Sequence, residues 1–121
     1  MTEISPEAQK TFVQLQQLQK QIQNMDMQRQ SLMYQKVEIE RALEEVKKSE
    51  GKEDMFKIVG PIMVKSSKDK LEKELGDTKE KLDSNLKMIE DGEKKIEEKM
   101  KSHQEKLQEL LKEKKPATEA G

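Results

Sequence analysis

The sequence predicts a mainly α protein, a long antiparallel two-helix coiled coil with one β-hairpin at its centre. Three observations carry that prediction. Charged segments with a sustained heptad stripe lie on both sides of the middle of the chain. Between them, Met55-Phe56-Lys57-Ile58-Val59-Gly60-Pro61-Ile62-Met63-Val64-Lys65 sets β-branched residues on both sides of a Gly-Pro pair, the pattern of strand, turn, strand. The d positions of the two stripes also pair outward from one common centre, between Gly60 and Pro61.

Composition supports the same class. Of 121 residues, 31% are hydrophobic, 2% aromatic and 40% charged, too polar for an ordinary globular core in what reads as one domain. Disorder is the competing reading of so charged a chain, and the regular stripe argues against it.

Ser5-Pro6-Glu7 opens the first helix: a hydroxyl cap, proline at the first helical position, then an acid. Helix is expected over 6–48, with Lys47 and Lys48 in the last turn and Gly51 just beyond as a stop. With Leu15 at a, the d positions are Ile4, Thr11, Leu18, Met25, Leu32, Ile39 and Val46. Ala8, Ile22, Arg29, Lys36 and Leu43 also fall at a. The hairpin is expected over 55–65.

Ser66 with Asp69 resembles a capping box, opening a second helix over 67–115. Its d positions are Leu75, Leu82, Ile89, Ile96, His103 and Leu110, and its a positions include Leu86, Glu93, Met100 and Leu107. Pro116 should end it, leaving 116–121 as a disordered tail. At roughly 1.5 Å per residue each helix would run about 65–70 Å.

The common centre opposes Val46 to Leu75, Ile39 to Leu82, Leu32 to Ile89 and Met25 to Ile96, and in the hairpin Val59 to Ile62. The seam is therefore assigned to Leu18, Met25, Leu32, Ile39, Leu75, Leu82, Ile89 and Ile96. Antiparallel layers tolerate a slip of a few residues, so the vertical register stays open. In this pairing Arg29 falls near Glu93, a pair that would set register more than stability.

An isolated hairpin of this kind is marginal in water and carries two sheet edges, so it needs strands from other chains. Phe56, Ile58, Val59, Ile62, Met63 and Val64 are the candidate oligomerisation residues. At the far end of the helices, Phe12 and Val13 lie off the seam and neighbour Leu107, Leu110 and Leu111. Two readings are open for this cluster: a widened seam, or a contact surface for another polypeptide. Met33, Tyr34, Val37 and Met88 form a second off-seam cluster.

Catalytic chemistry has little to stand on. There is no cysteine, and the single histidine, His103, sits at a seam position. Residues 68–115 interleave 14 lysines with 14 acids, the mark of a solvated helix face. The glycines at 51, 60, 76, 92 and 121 form no phosphate-cradling loop. We therefore assign no catalytic, cofactor or metal residues and expect no enzyme. A net charge of −1 gives no pull towards nucleic acid or an anionic membrane. With no signal-like or membrane-spanning segment, an intracellular, cytoplasmic protein is expected.

A charged helix, the core Phe56-Lys57-Ile58-Val59-Gly60-Pro61-Ile62-Met63-Val64-Lys65 and a second charged helix together resemble the β-class subunit of prefoldin. The resemblance spans nearly the whole chain, with the hairpin core as its specific part. The glutamine-rich first helix (Gln14, Gln16, Gln17, Gln19, Gln21, Gln23) is also similar to archaeal β subunits. Phe56 stands where the family usually has tyrosine. There is room for one hairpin, where α-class subunits have two.

The resemblance implies a hexamer of two α-class and four β-class subunits whose hairpins join an intersubunit β-barrel. It also implies an ATP-independent chaperone that holds unfolded proteins at the coiled-coil tips and delivers them to a group II chaperonin. Phe12, Val13, Leu107, Leu110 and Leu111 would be the client contacts. The alternative is a coiled-coil spacer or adaptor without chaperone activity.

Overall fold

The computed structural model describes residues 4–120, with side chains described through Lys112. Four elements follow in order: α1 (Pro6–Lys48), β1 (Met55–Val59), β2 (Ile62–Ser66) and α2 (Lys68–Ala120). The chain divides into two compact units. One joins residues up to Gln28 with residues from Ile89 onward, and the other is Arg29–Met88.

In the unit that holds the chain ends, α1 begins as its first residues dictate. Ser5 Oγ accepts the Ala8 N–H at 3.1 Å, and Pro6, which has no N–H to satisfy, occupies the first turn. Ala8, Thr11 and Leu15, successive a and d positions, are buried. Thr11 tolerates burial because its hydroxyl donates to the Glu7 carbonyl at 3.0 Å. The segment of α2 runs antiparallel to that of α1: Lys106 pairs with Glu7 at 3.6 Å, and the Met25 methyl lies over Gly92. A Cβ on Gly92 would sit 2.6 Å from Met25 Cε, so glycine is what admits the thioether there.

The central unit holds the other halves of both helices and the hairpin. Lys36 reaches Asp83 at 2.7 Å, carrying its ammonium out of an a position while its stem stays in the seam. At the end of α1, Gly51 takes φ +77° and donates its N–H to Ser49 Oγ. The carbonyls at the end of α1 and just beyond it are met from across the unit. Lys68 Nζ donates to the Lys47 carbonyl at 3.3 Å and to the Ser49 carbonyl at 2.7 Å, placing a cation at the negative end of the helix dipole.

The strands pair antiparallel, with Val59 opposite Ile62, Ile58 opposite Met63 and Met55 opposite Ser66. Gly60 has φ +57° and is followed by a proline whose φ is fixed negative, the pattern of a type II′ turn.

Burial along both helices follows the heptads. Between Ala8 and Leu110 every a and d position is buried or half-buried, including Arg29, Lys36, Lys79 and Glu93, and nearly every other position is exposed.

Three details correct or narrow the expectation. Ser66 ends β2, paired with Met55, so the cap of α2 passes to Ser67. Its Oγ accepts the Lys70 N–H at 3.3 Å, and with lysine in place of an acid no capping box forms. Within the slip that the sequence leaves open, the helix partners lie towards the hairpin: Met25 lies against Gly92, one turn from Ile96, and Lys36 against Asp83, two residues from the common-centre layer. The cause is unequal connectors. Six residues, 49–54, separate α1 from β1, whereas Ser67 alone separates β2 from α2, so helices and strands do not share one centre. Finally, α2 continues to Ala120, past Pro116. A proline removes one backbone donor, and Ala117, Glu119 and Ala120 are good helix formers that carry the turn onward.

Candidate functional site

Apolar surface that the fold itself does not cover lies at Met33, Tyr34, Val37 and Met88 in the central unit and at two further places that bear on function. The first is the hairpin. Its ribbon has two unlike faces, because side chains alternate along a strand and cross-strand partners share a side. Lys57, Val59, Ile62 and Val64 lie on one face. That face turns to α2, since Lys57 Nζ donates to both carboxylate oxygens of Glu74 at 3.1 and 3.2 Å. Phe56, Ile58, Met63 and Lys65 lie on the other. Ile58 is 77%, Met63 68% and Phe56 49% exposed there, against 57% for Ile62, 48% for Val59 and 38% for Val64 on the helix-side face.

The backbone adds to this. Val59 and Ile62 flank a two-residue loop and so bond each other. By the alternation of an antiparallel ladder, Phe56 and Ile58 on one strand, and Met63 and Lys65 on the other, turn their N–H and C=O groups outward. Among the described residues neither outer edge has a strand beside it. All six residues assigned to oligomerisation (Phe56, Ile58, Val59, Ile62, Met63, Val64) are exposed.

The second place is a groove of about 540 Å³ in the unit that holds the chain ends. Phe12, Val13, Leu107 and Leu111 line it, with Ile4 at its mouth and Ala8 on its floor. Four of the five residues assigned to client contact therefore meet in one groove. Leu110 does not line it and is half-buried at its d position. Ile4 was expected in the seam, yet it precedes the first helical residue and is half exposed at the groove. The signal for it was available: a residue before Pro6 has no helical phase, so a heptad letter does not apply to it. Leu18, Met25, Ile89 and Ile96 in this unit are half-buried. In the central unit Leu32, Ile39 and Leu75 are half-buried and Leu82 is buried.

His103 Nδ1 lies 2.7 Å from the Lys99 carbonyl. A carbonyl only accepts, so Nδ1 carries a proton and donates to it. Among the described residues no cluster of three or more histidines or carboxylates could hold a metal ion. No described helix is long and apolar enough to cross a membrane.

Comparison with known proteins agrees with this arrangement. The family model described as a prefoldin subunit matches residues 9–114. The prefoldin subunit beta of Archaeoglobus fulgidus is 38% identical over 92% of this chain and 96% of its own length. That of Sulfolobus acidocaldarius is 35% identical over the whole of this chain and 98% of its own. The crystal structure of the prefoldin beta subunit from Thermococcus strain KS-1 superposes with a TM-score of 0.86 at 33% identity, covering 92% of this chain and 97% of that one. With one hairpin between two heptad helices, and relatives of the same class matched nearly end to end, the chain belongs to the prefoldin family as a β-type chaperone subunit.

Proposed function

We propose that this subunit holds unfolded polypeptides at the groove formed by Phe12, Val13, Leu107 and Leu111 and passes them to a group II chaperonin without nucleotide or catalysis. It works in the cytoplasm, as one domain over residues 1–121, within a hexamer of two α-class and four β-class subunits. The hairpins supply the strands of an intersubunit β-barrel, with Phe56, Ile58, Val59, Ile62, Met63 and Val64 at the joints.

The observation that supports client holding is the groove itself. It gathers aromatic and branched side chains in an otherwise highly charged chain and leaves them half open to water. Covering one such side chain is worth about 1.5–3 kcal/mol. A single groove thus barely offsets the ~4–15 kcal/mol cost of association. Several grooves engaging one client raise avidity by about 10²–10⁴. Weak single contacts let the client leave. A spacer or adaptor has no use for an open apolar groove or for an unpaired apolar ribbon.

The test is Phe12→Ser with Val13→Ser and Leu111→Ser in the assembled complex. Suppression of client aggregation should fall about tenfold or more at unchanged native mass. Intact suppression at unchanged mass would refute client holding at this groove.

A further inference from the structure

The ribbon joins the rest of its unit through two unlike connections. Six residues, 49–54, lead into β1, whereas Ser67 alone leads from β2 into α2. Ser67 belongs to the helix side, since its Oγ accepts the Lys70 N–H and its carbonyl accepts the Leu71 N–H at 2.9 Å. The ribbon is thus hinged where β2 meets α2, and every residue at a hinge brings two soft dihedrals. Packing beneath the ribbon leaves its angle free, because Val59 and Ile62 on the helix-side face stay exposed.

A tie that can set the angle lies further out. Lys57 Nζ donates to both carboxylate oxygens of Glu74, at 3.1 and 3.2 Å. Lys57 is in the middle of β1, opposite Val64. Val64 is three strand residues from Ser67, about 10 Å away. Glu74 is seven helical residues from Ser67, also about 10 Å away. The ion pair therefore closes the third side of a triangle whose apex is Ser67. The other lysine of the ribbon makes no such tie, because Lys65 reaches Asp54, in the connector before β1, at 3.8 Å.

We infer that Lys57 and Glu74 are positioning residues that set the angle of the ribbon, so that neighbouring ribbons meet in the geometry that closes an assembly. The inference rests on the reading of the ribbon as a joint and adds what aims it. A contact that repeats at the wrong rotation gives open species in place of a closed one. Both side chains of the pair are partly open to water, and such a pair adds little to the stability of the chain itself. Holding the ribbon in its joined attitude beforehand removes an ordering cost at every joint. The gain falls on assembly, with folding little changed.

The test is a charge-reversal cycle in the assembled complex. Glu74→Lys and Lys57→Glu each set like charges against one another, yet they move net charge in opposite directions. Each alone should raise the concentration of half-dissociation about tenfold or more. Native mass spectrometry should show a spread of partial and oversized species, at unchanged helical circular dichroism. The double variant Lys57→Glu, Glu74→Lys restores the pair with the same combined reach. It should return to a single mass, with half-dissociation within about threefold of the parent.

Single variants that assemble as the parent does overturn the inference. So does a double variant no better than the single ones. Opposite effects from the two single variants also overturn it, since net charge alone would then decide. Ile58→Asp separates this from the underlying reading. If Ile58→Asp collapses the mass while both reversals leave it unchanged, the tie alone is wrong. If Ile58→Asp leaves the mass unchanged as well, the ribbon is not a joint.

Discussion

The hairpin and the chain-end groove both leave apolar side chains in water, but they do so with different backbones. In the hairpin, the residues that expose Ile58 and Met63 also turn main-chain N–H and C=O groups outward at a fixed spacing. In the groove, Phe12, Val13 and Leu111 stand on helices whose backbone groups are already bonded within the helix. A strand edge dictates direction and register to whatever joins it. A greasy helix surface dictates neither. The first arrangement suits a defined neighbour, the second a partner without defined structure.

The sharpest way to break this comparison is to damage one region and read both. Ile58→Asp places a carboxylate on the most exposed apolar position of the outward face. In an assembly it forfeits about 1.5–3 kcal/mol of burial per subunit and leaves a charge to be covered without a partner. Native mass should collapse to small species, and client holding should fall with it because multivalency is lost. The groove variants should instead lower holding at constant mass. If Ile58→Asp left the mass of the complex unchanged, the ribbon would not be a joint and the contrast would dissolve.

Next in size is Lys68, whose ammonium holds the Lys47 carbonyl of α1 at 3.3 Å and the Ser49 carbonyl just beyond it at 2.7 Å. Lys68→Met keeps the stem and removes the cation, at a cost of about 1–2 kcal/mol. Thermal unfolding followed by circular dichroism should move down by roughly 2–8 °C. Because Lys68 is neither a residue of the ribbon nor a lining residue of the groove, native mass and holding at low temperature should stay near those of the parent. A change in assembly would mean that the helix ends, as well as the strands, set the joint.

These regions were not equally legible in the sequence. Heptad position reports burial wherever a helix is continuous, which is why Lys36 and Glu93 are half-buried despite their charge. The turn was legible because glycine followed by proline fits few backbone conformations. The helix register was not. It depends on the difference between the connector 49–54 and the single residue Ser67, and connector length has no periodic signature. The capping residue was hidden by a repeat, Ser66-Ser67, in which only strand pairing decides which hydroxyl is available. Ile4 was misplaced by carrying a helical period back across Pro6. In each case a local rule was extended past the point where its element stops.

The smallest expected effects come from two glycines that isolate backbone conformation from packing. An added Cβ meets no atom within 4 Å at Gly60 or at Gly76, so contact energy drops out of both substitutions. Gly60 sits in the turn at φ +57°, where Gly60→Ala should cost about 1–2 kcal/mol. Gly76 lies inside α2, where Gly76→Ala should gain about 0.5–1 kcal/mol. Opposite shifts of the unfolding midpoint are therefore expected from the same chemical change. Gly92→Ala should gain less than Gly76→Ala, because the Met25 methyl must first move away from the new Cβ. The turn substitution should also weaken assembly more than its stability cost alone implies, since it tilts the strands that must meet a neighbour. If Gly60→Ala shifted the midpoint upward as Gly76→Ala does, the tight turn would not be what aims the ribbon.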